Sequence, residues 1–176
     1  MSDFNRQFIE LYEAYDIQCQ KEGTVDFGEL LLRSLELLQR HDELRKHYQN
    51  RFDHILIDEF QDTNSLQYKW ICLLSDLDTS VFAVGDDDQS IYAFRGADVS
   101  NMAKFEHEFK VKKTVRLEQN YRSHGHILDA ANELIKNNPS RLGKNLWTDS
   151  ESGDPIRVYE SVDDNNEATW VIEEIH

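Results

Sequence analysis

The segment that most constrains this chain is His54-Ile55-Leu56-Ile57-Asp58-Glu59, where an apolar run ends in two adjacent carboxylates. An unbroken stretch of Ile and Leu reads as a strand buried on both faces, the pattern of parallel α/β sheets. Such sheets place their chemistry in the crevice outside the strand ends, which is where the two acids fall. Adjacent carboxylates are costly to keep ionised unless a cation shares the site. Mg²⁺ bound to phosphates suits the position, because it takes one or two carboxylates and keeps several waters. A solvated loop carries Asp-Glu equally well, so the rest of the chain has to decide between the two.

The 176 residues suffice for one ordinary domain or pieces of two, and at 39% hydrophobic they can bury a core. No apolar run approaches the roughly 20 residues of a membrane helix, and no leader pattern opens the chain. A soluble, cytoplasmic protein without membrane contact is expected. Cys19 and Cys72 lie far apart with no metal-ligand spacing, so both read as reduced, half-buried thiols. The net charge of −15 argues against a broad nucleic-acid surface, which needs clustered Lys and Arg. Any contact with DNA must then rest on local residues or on parts of the protein outside this segment.

Helical spacing of Phe4, Phe8, Leu11, Tyr12 and Tyr15 predicts a helix over 3–22, ended by Gly23. A second helix follows from Asp26, with Leu30, Leu31, Leu35 and Leu38 on its face, and a third, polar one spans 41–50. Beyond Phe52 the pattern changes to strand 54–58, helix 64–78 with Leu66, Trp70, Leu73, Leu74 and Leu77 on one face, and strand 81–85. Then come a helix capped by Asp98 through about Phe109, a strand over 111–117, a helix over 124–137 capped by Ser123, a strand over 156–159 and a helix from Glu167. The inward positions of the 124–137 helix are Ile127, Ala130, Ala131, Leu134 and Ile135. Strand–helix alternation from residue 54 onward predicts a parallel α/β sheet with right-handed crossovers.

Three segments carry chemistry-bearing residues. The first is the acid pair itself. The second strand ends Gly85-Asp86-Asp87-Asp88-Gln89-Ser90-Ile91-Tyr92-Ala93-Phe94-Arg95-Gly96-Ala97. Gln89 can hydrogen-bond a phosphate oxygen and a water at once, which suits sensing of a terminal phosphate. Tyr92, Phe94 and Arg95 interleave aromatic faces with a guanidinium, either to stack on unpaired bases or to form an ordinary core cluster. In the third segment, Leu117-Glu118-Gln119-Asn120-Tyr121-Arg122-Ser123, Arg122 precedes a helix start, where it could neutralise an anion or make a structural salt bridge. Tyr121 offers a flat face to a purine ring.

Together and in this order these segments resemble the UvrD/Rep/PcrA family of superfamily 1 DNA helicases. Asp58-Glu59-Phe60-Gln61-Asp62-Thr63-Asn64 is similar to the family's Walker B motif, 85–97 to its third motif and 117–123 to its fourth. Val25-Asp26-Phe27 with Leu30-Leu31, and Arg141-Leu142-Gly143-Lys144 through Trp147, fit further family elements, so the likeness covers nearly the whole chain. The resemblance implies a partial RecA-like (P-loop NTPase) parallel sheet preceded by a helical piece of an inserted subdomain. It implies an ATP-dependent helicase translocating 3′→5′ on single-stranded DNA and unwinding duplex DNA, with repair proteins as partners. On the same ground Asp58 would hold the Mg²⁺ of ATP, Glu59 would be the general base and Gln89 would couple the γ-phosphate to DNA. Tyr92, Phe94 and Arg95 would line the single-strand path, Tyr121 would stack near adenine, and Arg122 would act as an arginine finger. Phe94 stands where relatives often carry Trp, which leaves less stacking area.

A motor of this kind also needs a P-loop, G-x-x-x-x-G-K-[ST], and no such string occurs here. Gly143-Lys144 is followed by Asn145, and Asn138 takes the place of the first glycine. The expected organisation is an excised piece: 1–52 the helical end of the inserted subdomain, 53–117 the later half of the first RecA-like domain, and 118–176 the start of the second. Two other classes compete. A metal-dependent nuclease could gather Asp58, Glu59, Asp62, Asp86, Asp87 and Asp88 around two metals, and a non-catalytic interaction module would suit the acidic charge. His124-Gly125-His126 reads as a surface pair at a helix start, in preference to a metal site. Purified 1–176 is expected to release no phosphate from ATP, with or without single-stranded DNA; measurable turnover would remove the need for a P-loop elsewhere.

Overall fold

The computed structural model describes residues 3–139, 141 and 143–175, and its backbone divides into two units, Met1–Lys112 and Lys113–His176. Leu142 of the Arg141-to-Trp147 string lies outside the described residues.

In the first unit, α1 (Asp3–Glu22) ends where Gly23 turns to φ +64°, with Thr24 N–H donating to the Cys19 carbonyl. A left-handed residue of this kind closes a helix at little cost when it is glycine. α2 (Phe27–Arg40) is capped by Asp26, whose Oδ1 accepts the Glu29 N–H at 2.7 Å while Tyr15 Oη donates to Oδ2 at 3.0 Å. The Cys19 and Asp26 side chains beside it push the Tyr15 phenol up to about 12. α2 buries Leu35 and Leu38, and it packs on α3 (Asp42–Gln49) and α4 (Ser65–Leu74). Gln49 Nε2 fastens α3 to the end of α4 through the Leu73 carbonyl at 2.9 Å.

β1 (His54–Ile57) and β2 (Ser80–Ala83) pair in parallel, His54 opposite Ser80 and Ile57 opposite Ala83, with α4 as the crossover between them. α4 starts in a capping box: Asn64 Oδ1 accepts from the N–H groups of Leu66 and Gln67, and the Gln67 side chain accepts from Asn64 N–H. The core is Phe60, Tyr68, Ile71 and Phe105, the last on α5 (Ser100–Glu108), with Ile57, Val81 and Ala83 packed against it. Phe60 and Phe105 meet edge to face at 5.2 Å. Fully burying side chains of this size contributes roughly 1.5–3 kcal/mol each. Tyr68 Oη donates to Glu108 Oε2 at 2.7 Å, and burial with this partner raises the phenol well above its ordinary range. Cys19 and Cys72 are free and half-buried, and burial raises the Cys72 thiol.

Several expectations are corrected here. The strands are covered on one face only: Ile57, Val81 and Ala83 face the core, while Leu56 is 76% and Phe82 63% exposed. α4 stops at Leu74 because Asp76 Oδ1 accepts from the N–H groups of Asp78 and Thr79 and from the Thr79 hydroxyl, capturing the chain in a turn. Leu77 consequently leaves the helix and is fully exposed, and the buried positions of α4 are Tyr68, Ile71 and Leu74. Segments 111–117 and 156–159 form no ladder among the described residues. A strand exists only through hydrogen bonds to a neighbour, and Val115, Leu117, Ile156 and Val158 all face outward.

In the second unit, Trp147 N–H donates to the Glu118 carbonyl at 3.0 Å and Asn120 N–H to the Trp147 carbonyl at 2.7 Å. α6 (Gly125–Ile135) is not capped by Ser123: its N-cap is His124, without a side-chain bond. The carbonyls of Glu151 and Ser152 accept the Gly125 and His126 N–H groups instead, so a backbone turn replaces the cap. Of the expected inward face only Ile135 is half-buried; the buried residue is Leu128. α7 (Asp164–Ile175) starts before Glu167, with Asn166 N–H donating to Asp163 Oδ1 at 2.7 Å. Tyr159 stacks on Trp170, rings 4.4 Å apart and 9° from parallel. No helix among the described residues is long and apolar enough to cross a membrane.

The N-cap position of α5 is Val99, which makes no side-chain bond, so the expected Asp98 cap is corrected to a turn one residue earlier, and that turn yields a pH-dependent expectation. Asp98 accepts from the Ser100 hydroxyl and N–H and pairs with Lys104 Nζ at 3.0 Å, which holds its carboxyl below the ordinary 3.8. A lowered folded-state value contributes stability above the unfolded value and loses it as pH falls through the folded one. Asp98→Ala is therefore expected to cost about 0.5–1.5 kcal/mol at neutral pH, the net worth of a typical hydrogen bond. In urea titrations the gap from the parent chain should close as pH falls below 3.8.

Candidate functional site

The two strands deliver their carboxyl ends side by side. After Ile57 the chain kinks at Glu59, which adopts φ +49°, ψ +44°, a left-handed conformation that costs a non-glycine residue roughly 1–2 kcal/mol. Asp58 Oδ1 supports the kink by accepting Glu59 N–H at 2.9 Å, and Phe60 N–H donates to the Val84 carbonyl at 2.9 Å. Phe60 thus enters the core while Asp58 and Glu59 stay exposed at the strand end.

Gln61, on the short 3-10 turn Phe60–Asp62, is only 1% exposed. Its Nε2 donates to Glu59 Oε2 at 2.7 Å, and its Oε1 accepts Asp86 N–H at 2.9 Å. Asp86 continues the chain of contacts: Oδ1 accepts Asp88 N–H at 3.0 Å and Oδ2 accepts from Gln89 Nε2 at 2.7 Å. A hydrogen-bonded series therefore runs Glu59–Gln61–Asp86–Gln89 across the ends of β1 and β2.

The segment after Gln89 is pinned at its far end as well. Asp98 N–H and Asn101 Nδ2 both donate to the Thr63 carbonyl at 3.0 Å, Asn101 being 0% exposed, and Asn64 bridges Ala97. Between these anchors, Arg95 places its guanidinium carbon 4.9 Å from the Tyr92 ring centroid and 5.4 Å from that of Phe94. Phe94 is 78% exposed, Arg95 is exposed and Tyr92 half-buried, so the trio is a surface cluster and not core. Gly96, at φ +87°, closes the turn that presents it.

Asp58, Glu59 and Gln89 therefore meet in the first unit, next in sequence to the Tyr92–Phe94–Arg95 cluster. Tyr121 and Arg122 belong to the second unit. Tyr121 is 83% exposed, its hydroxyl donating to Gln119 Oε1 at 2.7 Å, and Asn120 Oδ1 accepts Arg122 N–H at 2.9 Å. The Arg122 guanidinium makes no ion pair among the described residues, so the structural salt bridge is not formed. The sequence reading passed over Gln61, Thr63 and Asn101. For Gln61 alone the structure explains a neighbouring glycine: a Cβ at Gly85 would meet Gln61 Oε1 at 2.8 Å.

One carboxylate with an outward oxygen fits Mg²⁺ shared with phosphates: Asp58 spends Oδ1 on Glu59 N–H, and Oδ2 accepts no hydrogen bond among the described residues. The two-metal cluster of a nuclease does not fit. No group of three or more His, Cys, Asp or Glu among the described residues is placed to hold a metal, and Asp62 Oδ1 is buried without a hydrogen-bond partner there.

Gly85→Ala is expected to wedge its methyl against Gln61 Oε1 at 2.8 Å and against the Phe60 backbone N and the Cβ of that buried side chain at 3.2 Å, atoms with little room to move. Overpacking of this kind costs about 1–3 kcal/mol. A urea midpoint equal to that of the parent chain would mean that the two strand ends part cheaply.

Residues 1–110 match the UvrD/REP helicase N-terminal domain and residues 115–176 the UvrD-like helicase C-terminal domain. The chain is 51% identical over 179 residues to DNA helicase II of Haemophilus influenzae, covering 99% of this chain and 24% of that protein. It is 51% identical over 166 residues to DNA helicase II of Escherichia coli, covering 94% and 23%. With the ATP-dependent DNA helicase PcrA of Staphylococcus epidermidis it shares 43% identity over 175 residues, covering 99% and 24%. The chain spans roughly a quarter of the length of these relatives. With both domain matches in chain order over nearly all its residues, the chain belongs to the UvrD/REP helicase family.

Proposed function

We propose that this chain contributes the acid-bearing part of an ATP-dependent 3′→5′ DNA helicase, which couples ATP hydrolysis to movement along single-stranded DNA and to duplex unwinding. The observation that carries the proposal is the Glu59–Gln61–Asp86–Gln89 series, with the exposed Tyr92–Phe94–Arg95 cluster on the same pinned segment. Nucleotide chemistry and a base-stacking surface then share one hydrogen-bonded assembly. The parallel β1–α4–β2 unit supports the first RecA-like domain over 53–117, with 1–52 as the end of an inserted helical subdomain and 118–176 as the opening of the second domain. DNA repair in the cytoplasm, together with repair proteins, is the setting proposed for the complete protein.

Each residue has a distinct task in this reading. Asp58 would hold Mg²⁺, which when bound neutralises charge on the phosphate oxygens. Glu59 orients the attacking water and takes its proton, a contribution typically worth about 10²–10⁴ in rate. Gln89 senses the terminal phosphate from the loop that leads to Tyr92, Phe94 and Arg95. Those rings stack on successive bases, worth about 1–3 kcal/mol per base, and this local binding needs no broad basic surface. That is how a chain of net charge −15 contributes to a DNA path. Tyr121 offers its exposed ring to adenine. Arg122, free of any ion pair among the described residues, serves the transferred phosphoryl group, a role worth roughly 10³–10⁵ in kcat.

In the complete protein, Glu59→Gln is expected to lower ATP hydrolysis by about 10²-fold or more while leaving nucleotide binding in place. Phosphate-release kinetics together with fluorescent-nucleotide titration would read both. A variant that hydrolyses ATP and unwinds duplex at the parent rate would refute the assignment of Glu59.

A further inference from the structure

Gln61 is a buried polar side chain, 1% exposed, in direct contact with Glu59, and the proposed chemistry leaves it without a task. Its surroundings fix which end of its amide is which. A carboxylate can only accept, so the group facing Glu59 Oε2 at 2.7 Å must be the NH₂; a backbone N–H can only donate, so the group facing Asp86 N at 2.9 Å must be the carbonyl. No other neutral side chain of this length satisfies both neighbours. The pocket is also tight, since Gly85 leaves no room for a Cβ beside Gln61 Oε1. Glu59 meanwhile occupies a left-handed backbone position that does not by itself aim a long side chain.

We infer that Gln61 is a positioning residue for hydrolysis: its amide, anchored on the Asp86 N–H, holds the Glu59 carboxylate in its working orientation. The inference rests on the reading of Glu59 as general base. It adds that the base is aimed from the neighbouring strand end, so its alignment depends on where the Asp86–Gln89 turn sits.

The test uses Gln61→Glu and Gln61→Met in the complete protein, with Glu59→Gln measured alongside. Gln61→Glu keeps the shape but sets a second carboxylate against Glu59. Repulsion between like charges turns the Glu59 side chain away from the place where the amide held it. Its kcat should fall roughly tenfold or more, the scale on which losing an orienting partner shows, with the KM for ATP little changed. Gln61→Met keeps the length and can neither donate nor accept in this way; it should show the same fall in kcat with the KM for ATP again little changed, and it serves if Gln61→Glu does not fold. Parent-like kcat in Gln61→Met would overturn the proposal, as would a Gln61→Glu enzyme of parent-like kcat. If Glu59→Gln itself hydrolyses ATP normally, the base assignment fails; if only the Gln61 variants are silent, the positioning role alone fails.

Discussion

The arrangement at the strand ends depends on a side-chain amide that water does not reach. A buried Gln with an unmet donor or acceptor costs about 1–3 kcal/mol per lost partner, so Gln61 stabilises the fold only while both the Glu59 carboxylate and the Asp86 N–H are in place. The dependence is mutual. Glu59 sits in a strained backbone conformation, and Asp86 opens a turn that would otherwise be an acidic loop of three like charges. Removing Gln61 leaves the Asp86 N–H without its acceptor and Glu59 without its donor, and removing the Glu59 carboxylate leaves the buried NH₂ of Gln61 unmet, so the two strand ends are joined through this one amide.

Below this polar layer, Phe60 links the site to the core. It follows the Glu59 kink directly and packs on Tyr68 of the crossover helix and Phe105 of α5. The hydrogen bonds of Thr63 with Asp98 and Asn101 tie the same segment to the start of α5. Residues 58–64 are thus held by β2, α4 and α5 together, which is a rigid mounting for two exposed carboxylates.

Much of this was legible in the sequence because it depended on local chemistry. The Ile-Leu-Ile run ending in acids, the glycine after α1, Asp26 at a helix start, and the interleaving of Tyr92, Phe94 and Arg95 all follow from residues within a few positions of one another. What was not legible depended on partners distant in the chain. A hydrophobic run reports that a strand has something to bury, but not which face is covered; 111–117 and 156–159 carry strand-like composition without a neighbour to pair with among the described residues. Asp76 ends α4 through the four-residue turn 76–79, which competes with an apolar periodicity continuing to Leu77. Gln61 reads as one more polar loop residue until the second strand brings Asp86 beside it.

The uncovered side of the β1–β2 ribbon has a practical consequence. Leu56, Phe82 and Val84 face outward, and among the described residues each strand has a single neighbour, so each has an edge of backbone N–H and carbonyl groups with no strand beside it there. Edges and apolar faces of this sort template association with other chains. Mutual repulsion between copies carrying −15 charges opposes that association and is screened by salt. Colloidal behaviour of the segment in solution is therefore governed by ionic strength, with added salt driving copies together through the same strands that present the acid pair.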